Sequence, residues 1–468
     1  MTMPEFKEGN RVCRRSYIRI EGELASPLLA GSGEDNLTDM DVILDEKGLP
    51  FIPGSTLAGA SRQHLAEVSG NEAANYLFGG PRAGRESRVS IEDDRQSRLF
   101  VYDTKLVGAR LCKRDGVRLD EFKTAEDKAK YEMQIVERGA GYVIRLEFVE
   151  REDDLKWSEA TVPAERLGAV DGMQHIRTLL TGLNRGEVTL GAKSRRGFGR
   201  LNVQAVRVKQ FEMTKPEEHL AWLDWDWINE DAFDGAEIWD LKQIEDTIKQ
   251  NDHCLRVPLK VRNTIMIRKY VGESPYGSVL PDYVQLKSAG KAVVPGTSWM
   301  GAIRARLETI LRNINRTTGR EEIQRKLEPV FGTWSAECKT EQTLLASVVK
   351  VEESLLQEGY GLPLTRNAID RFTGGTVQGA LYTGIPWVGG HTELVLRWPC
   401  KLDKVLSDGI CGLLLWAVSD LQSGLLAVGG ETAVGRGTFE AAGDITLDGN
   451  LINDRKLYYK AAMNWCKR

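Results

Sequence analysis

The segment Lys193–Arg200 reads Lys-Ser-Arg-Arg-Gly-Phe-Gly-Arg and places four cations around two glycines. Glycines leave backbone amides open, and guanidinium forks can follow a chain of phosphates, while Phe198 could stack on a base. This pattern predicts contact with a polynucleotide, and the alternative is a glycine turn between a helix and a strand with a solvated basic face. The predicted RNA contacts are Lys193, Ser194, Arg195, Arg196, Phe198 and Arg200.

A second feature with binding chemistry is the turn Pro53-Gly54-Ser55-Thr56, which recurs at residues 295–298. A Pro-Gly turn before a helix exposes backbone N–H groups and hydroxyls that can hold a phosphate. The alternative is an ordinary N-cap supplied by Ser55 or Thr297. Gly59 and Gly301 fall inside the predicted helices, where glycine costs about 1 kcal/mol against alanine, so a close approach by protein or RNA would explain them. The RNA contacts predicted here are Ser55, Thr56, Arg62, Thr297, Ser298 and Arg304.

The chain repeats itself. Residues 53–62 match 295–304, Leu77-Phe78-Gly79 is echoed at 330–332, and 190–200 is echoed at 428–437. Three landmarks in one order, at offsets of 238 to 253, indicate two copies of one domain, because two copies are too few for a solenoid. The second glycine-rich segment carries Glu431 and only Arg436, which predicts an RNA contact at Arg436 with a weaker charge.

Each copy has the same order of elements. Alternating strands at 16–22 and 255–261 precede the Pro-Gly turns, helices follow, second helices are expected near 171–183 and 405–425, and a last strand begins at Leu201. This order predicts an α+β fold with two tandem ferredoxin-like or RRM-like domains. We expect domain 1 at 1–213, a connector at 214–250 and domain 2 at 251–468.

The connector is acidic and rich in tryptophan. It holds eleven acidic and three basic residues, whereas the whole chain has a net charge of −4, so the remainder carries about −4 + 8 = +4. Four tryptophans, at 222, 225, 227 and 239, are unusual in a disordered linker. We therefore expect a partly helical segment that docks either on this chain or on another subunit.

Several classes of function are excluded by what the sequence lacks. The seven cysteines show no CxxC spacing, which argues against zinc and fits a reducing cytosol. No signal-peptide pattern, apolar run of about 18 residues, Walker loop or GxSxG elbow is present, so we expect a cytoplasmic protein with no membrane contact. No pair of histidines suggests a nuclease, and His64 on a predicted helix is interpreted as structural.

These motifs, in this order and twice, resemble the RAMP superfamily of CRISPR proteins over roughly 11–210 and 252–445. The resemblance is closest to the repeated backbone subunit of type III complexes, whose pattern of Asp, a short apolar stretch, a turn and Ile-Pro-Gly-Ser-Ser is matched by 39–55. Residues 112–138 and 364–388 look like the family's β-hairpin thumbs, and Arg371 in the second is a further predicted RNA contact. The resemblance implies a guide-RNA-binding backbone subunit. The implied partners are CRISPR guide RNA, complementary target RNA, a large subunit, a small subunit and cap RAMP subunits.

The resemblance also implies chemistry at an aspartate in the loop before the Val-Ile strand. Family members cut target RNA there with a divalent metal, Mg²⁺ or Mn²⁺, as the 2′-OH attacks the adjacent phosphate and leaves a cyclic phosphate and a 5′-OH. By position this implies Asp39 as the catalytic and metal-binding residue, with Asp41 and Asp35 as near alternatives. Asp282 takes nearly the same place in the second half, one residue out of register from Pro295.

Other functions remain open at this point. The first is a non-catalytic structural backbone subunit of the same complex. A guide-processing RAMP endonuclease and a metabolic enzyme with duplicated ferredoxin-like domains are further alternatives.

Overall fold

The computed structural model describes residues 11–33, 37–80, 96–119, 125–152, 172–271, 281–333 and 345–467. Two sheets, each with helices packed on one face, lie on either side of the connector. We call residues 11–213 domain 1 and residues 251–467 domain 2. The predicted fold class, α+β with two tandem ferredoxin-like domains, is confirmed by their topology.

Domain 1 is built on three long antiparallel strands in the order β7-β1-β8. Because side chains alternate along a strand, Ile18 and Ile20 enter the core beneath the helices while Tyr17 and Arg19 lie on the opposite face. The elements of domain 1 are β1 (Val12–Leu24), β2 (Phe51–Ile52), α1 (Gly54–Ser69), α2 (Asn71–Phe78), β3 (Leu99–Val101), β4 (Thr104–Val107), β5 (Leu111–Leu119), β6 (Ala125–Val136), β7 (Gly141–Arg151), α3 (Gly172–Arg185) and β8 (Leu201–Glu212).

The connector follows β8 and docks on domain 1, which answers the question that the sequence left open. Trp222, Trp225 and Trp227 pack with Tyr17 and Phe211 on the sheet face that carries no helices. Its elements are α4 (Pro216–Leu223), a 3-10 turn (Glu230–Phe233), β9 (Glu237–Ile238), which pairs with β8, and α5 (Leu241–Thr247).

Domain 2 repeats the arrangement with β22 and β23 on either side of β10. Its elements are β10 (Asp252–Val261), β11 (Thr264–Ile265), β12 (Arg268–Tyr270), β13 (Tyr283–Gln285), β14 (Lys287–Ser288), β15 (Lys291–Val294), α6 (Gly296–Ile314), α7 (Arg320–Phe331), β16 (Lys350–Val351), β17 (Ser354–Leu355), β18 (Tyr360–Gly361), β19 (Leu364–Arg366), β20 (Tyr382–Ile385), β21 (Trp387–Val388), β22 (His391–Pro399), α8 (Lys404–Gln422), β23 (Phe439–Ala441), β24 (Thr446–Leu447), β25 (Asn450–Leu451) and α9 (Lys456–Lys467).

The strand registers make the two domains comparable residue by residue. The cross-strand pair Arg19–Arg145 corresponds to the pair Arg256–Val395. The offset in residue number is therefore 256 − 19 = 237 between β1 and β10, and 395 − 145 = 250 between β7 and β22. Strands β3 and β16 pair with β7 and β22 at the same offset of 250. Equivalent positions in the two domains can therefore be named.

The two thumbs differ. Strands β5 and β6 form a long hairpin, paired from Leu111–Val136 to Leu119–Ala125, although residues 120–124 of the predicted thumb lie outside the described part. The second thumb has only a three-residue ladder between β19 and β20. Its remaining loop contains Gly374, Gly375 and Gly379, and glycine is a weak strand former.

Helix α8 is apolar and long enough to cross a membrane by composition alone. More than half of its most apolar stretch is buried, with Ile410, Leu413, Leu414 and Val418 inside the core of domain 2. It is therefore a core helix.

Candidate nucleic-acid interface

The glycine-rich segment of domain 1 forms a short 3-10 turn, Ser194–Arg196, between two left-handed residues, Lys193 (φ +57°) and Gly197 (φ +88°). Domain 2 repeats this backbone with Glu431 (φ +58°) and Gly435 (φ +84°). Glycine adopts positive φ without the Cβ penalty, which explains its place in both copies.

This segment lies at the junction between the domains. The Arg195 guanidinium donates to the Ser347 carbonyl, and Arg200 forms an ion pair with Glu352. A Cβ at Gly197 would lie 2.5 Å from the Glu353 amide nitrogen, so only glycine fits there. Burial lowers the pKa of Arg200. The RNA contacts predicted for Arg195 and Arg200 are thus corrected, because domain 2 already engages both guanidinium groups.

Two other predicted RNA contacts are wrong because the side chains are buried. Phe198 is 2% exposed and belongs to the core of domain 1, so its ring cannot stack on a base. Arg436, the equivalent residue in domain 2, is 4% exposed and forms an ion pair with Glu431. Both residues follow a left-handed glycine that turns the side chain inward.

The two helix starts agree with the predicted turn but not with the predicted cap. Pro53 and Pro295 are the N-cap residues, and neither α1 nor α6 has a side-chain cap, so the alternative of a cap by Ser55 or Thr297 is wrong. In domain 1 the Gly54 amide instead donates to Asp103 Oδ1 at 2.7 Å. The predicted hydroxyls are at least partly exposed, namely Ser55, Thr56, Thr297 and Ser298.

Gly59 and Gly301 occupy equivalent places one turn further along these helices. Both are exposed, and a Cβ at either would meet no atom within 4 Å. No described part of the chain approaches them, so any close contact that favours glycine comes from outside the described residues.

Arg62 and Arg304 have structural roles that replace their predicted RNA contacts. Arg62 donates to the Gly79 carbonyl and to Asn75 Oδ1, both at 2.6 Å. Arg304 donates to the Gly332 carbonyl at 3.2 Å, the equivalent position in domain 2. The repeated Phe-Gly landmark is thus the end of a helix held by a repeated arginine.

The cations that remain available lie around the junction and at the thumbs. Arg196 is exposed, and it acts on Arg304 across the junction. Burial, followed by the positive charge of Arg196, lowers the pKa of Arg304 to about 10. Lys193 lies over the Tyr131 ring of the first thumb, 3.9 Å from its centroid, beside the partly exposed Ser194. The exposed Arg196 guanidinium at the edge of the junction can pair with an anion such as a phosphate.

Arg371 lies at the tip of the second thumb. Asp370 Oδ1 accepts the amides of Phe372 and Thr373 at 2.8 Å each, which shapes a tight turn. Arg371 is exposed, and the Phe372 ring is fully exposed beside it. The turn therefore presents a cation and an aromatic ring together.

Asp39 and Asp282 take the same place in the two domains. Asp39 Oδ2 accepts the Glu132 amide at 2.6 Å, and Asp282 Oδ2 accepts the Thr383 amide at 2.7 Å. Both donating amides lie on the returning strand of a thumb, and both aspartates are exposed. The one-residue difference in sequence spacing thus disappears in the structure.

The two near alternatives to Asp39 are not equivalent to it. Asp41 is 7% exposed and accepts the amides of Leu37 and Thr38, at 2.8 and 2.9 Å, so it shapes the loop. Asp35 lies outside the described residues.

The donor set around Asp39 bears on the expected metal. Among the described residues no group of three or more His, Cys, Asp or Glu side chains converges. Mg²⁺ is often held by one or two carboxylates with substrate phosphates and water. Asp39 fits such a cation only as part of a site that bound RNA completes.

His64 is structural, as the sequence suggested. It is 4% exposed, its Nε2 lies 3.9 Å from Glu187 Oε2, and burial lowers its pKa to about 4. A neutral, enclosed imidazole cannot reach a polynucleotide.

Sequence reasoning missed the acidic residues that receive domain 1. Glu352 forms an ion pair with Arg200, and Glu353 forms one with Arg114. The side chains of Arg114 and Glu353 are 5% and 1% exposed, respectively. Their signal was a pair of adjacent glutamates directly after Val351, but the matching arginines lie more than 150 residues away.

Two ferredoxin-like domains in tandem, each with an aspartate at the base of a thumb, define a duplicated RRM-like protein. A family model described as the RAMP superfamily matches residues 22–202 and 282–440, well over half of the chain. A search of curated proteins found no match. The chain belongs to the RAMP superfamily, whose members are CRISPR-associated and bind RNA within effector complexes.

Proposed function

We propose that this chain is a double backbone subunit of a type III-like CRISPR ribonucleoprotein. It binds guide RNA across both domains and positions complementary target RNA for cleavage. Its partners are then the guide, the target, a large subunit, a small subunit and cap RAMP subunits, in the cytoplasm. Support for guide binding comes from the exposed Arg196 at the junction, from Ser55 at the start of α1, and from the exposed Gly59 and Gly301, which no described part of the chain approaches.

The observation that carries the cleavage proposal is the repeated placement of Asp39 and Asp282. Each exposed carboxylate is fixed by a thumb amide, at 2.6 and 2.7 Å, beside the hairpin that would meet the guide–target duplex. A carboxylate held there can orient a target 2′-OH for attack on its own phosphate. The 2′-hydroxyl gives up its proton as its oxygen bonds to phosphorus, the bond to the 5′-oxygen breaks, and that oxygen takes up a proton from water.

A divalent cation, Mg²⁺ or Mn²⁺, would be held by Asp39 together with RNA phosphates. When bound, it would stabilise negative charge at the phosphate. The residues of this chain supply the orientation of the strand and the carboxylate.

The same geometry supports a second candidate, a non-catalytic backbone subunit, because accepting a thumb amide is also a structural task. Asparagine separates the two: Asp39→Asn and Asp282→Asn keep an oxygen that can accept the amide but remove the charge. In the assembled complex we expect each variant to abolish one cut in a labelled target and the double variant to abolish both, with guide binding unchanged.

Asp45→Asn is the matched control, because Asp45 also accepts backbone amides in an exposed loop. It should leave both cuts in place. Target cleavage that survives in Asp39→Asn/Asp282→Asn would dismiss the nuclease and leave the structural subunit.

A further inference from the structure

The junction between the domains is a defined docking surface. On domain 2 it consists of the start of α6 and residues 347–353. A Cβ at Gly296 would lie 2.4 Å from the Arg196 carbonyl oxygen, so the loop of domain 1 sits directly on the helix start. Arg200 and Arg114 reach the two glutamates at 352 and 353.

The same surface extends to the first strand of domain 2. Glu187 Oε1 accepts the amides of Asn251 and Asp252 at 3.0 and 3.4 Å, and Lys350 donates to the Glu187 carbonyl at 3.4 Å. Domain 1 therefore covers one end of the sheet face of domain 2.

Since the domains repeat, domain 1 has its own copy of this surface. With the offsets of 237 and 250, Arg15 corresponds to Asp252, Tyr102 to Glu352 and Asp103 to Glu353. This copy would accept a further domain if stacking continued past domain 1.

The connector occupies that copy. The Trp227 ring lies with its centroid 4.9 Å from that of Tyr102, and the Arg15 guanidinium lies 4.7 Å from the Trp222 centroid. Trp222 Nε1 also donates to the Tyr17 hydroxyl at 2.8 Å. These contacts fall at the positions where domain 2 receives Arg200 and Glu187 from domain 1.

The opposite end of the chain has lost the complementary charges. At the offset of 238, Ala433 stands in place of Arg195, Val434 in place of Arg196 and Thr438 in place of Arg200. Domain 2 thus lacks counterparts of Arg195 and Arg200, two of the arginines with which domain 1 contacts its neighbour.

We propose that residues 214–239, the tryptophan segment, substitute for a preceding domain by filling the docking surface of domain 1. The chain is then a closed pair that does not extend head to tail with further copies of itself. Burial of large aromatic rings makes such an occupant stable. The inference rests on the proposed function in one respect: the assembly whose growth it limits is a stack of RAMP domains.

The test uses the full chain without RNA, so that failure of guide binding does not affect it. The variant Trp222→Ala/Trp227→Ala opens the docking surface of domain 1 and leaves Trp225 in its aromatic cluster. The variant Ala433→Arg/Thr438→Arg gives domain 2 arginines at the positions of Arg195 and Arg200. Sedimentation velocity over a wide concentration range should show single chains for the unaltered protein and for each pair alone. Only the variant with all four changes should self-associate, with a dissociation constant at least about tenfold lower than that of any other form.

Three results would overturn the inference. The first is concentration-dependent association of the Ala433→Arg/Thr438→Arg chain as strong as that of the fourfold variant, which would mean that the tryptophan segment blocks nothing. The second is a fourfold variant that remains a single chain while circular dichroism shows it folded. The third is head-to-tail association of the unaltered chain, which would refute the closed pair outright. Loss of guide binding in any form would bear on the proposed function alone.

Discussion

At the scale of single residues, the distinction that matters is between arginines that hold the protein together and those that face outward. Arg62, Arg304, Arg195 and Arg200 all have partners within the chain. Arg196, in the same short loop, is exposed and lies close enough to Arg304 to repel it. Charge type alone cannot separate these cases, because a guanidinium can donate to carbonyls, carboxylates and phosphates alike.

Arg196→Ala should weaken guide-RNA binding, because it removes one exposed cation while leaving the loop carbonyl that rests on Gly296. We expect a loss of about 1–2 kcal/mol and a salt slope smaller by about one. Filter binding or fluorescence anisotropy at several salt concentrations measures both.

Arg207→Ala is the matched control. Arg207 is partly exposed, but it pairs with Glu21 on the sheet face of domain 1 that lies opposite α1 and α3. Equal effects of the two substitutions would mean that Arg196 has no special place in the guide path.

At the scale of elements, the sequence predicted most of the strands and helices that form the cores of the two domains. Strand β1, helices α1 and α6, helices α3 and α8 and strand β8 were all expected, because their periodic apolar residues and Pro-Gly starts are local signals. The junction was not predicted. The loop 193–200 was assigned to RNA because its partners, Glu352 and Glu353, are distant in sequence. The docking of Trp222 on Tyr17 is equally non-local, and local patterns carry no information on such pairs.

Two equivalent glycines separate local strain from contact at the junction. Gly197 and Gly435 have φ of +88° and +84°, but only at Gly197 would a Cβ meet the other domain. Gly435→Ala should reduce the free energy of unfolding by about 1 kcal/mol, the cost of a left-handed alanine. Gly197→Ala should reduce it further and loosen the two domains.

Chemical denaturation gives the free energies, and limited proteolysis between residues 240 and 250 reports the loosening. If the two alanine variants behaved alike in both measurements, the glycine-rich loop would not be a tight element of the junction.

At the scale of the whole molecule, the proposed function depends on which features the two domains share and on which features differ between them. The repeated parts are the helix starts, the thumb-held aspartates and the arginines that hold helix ends. The divergent parts are the ends: a tryptophan segment on domain 1, and on domain 2 a loop that exposes Ala433 and Val434 where domain 1 has arginines. One junction with an exposed arginine at its edge then provides a single continuous path for RNA over two domains.

That continuous path is most directly tested by cross-linking the native complex with ultraviolet light, sequencing its RNA and locating the linked peptides by mass spectrometry. We expect one population of RNA of defined length, with cross-links in both domains: near Ser55 and Arg196 in domain 1, and near Thr297 and Phe372 in domain 2. A complex that retains no RNA, or cross-links confined to one domain, would contradict the tandem guide-binding account.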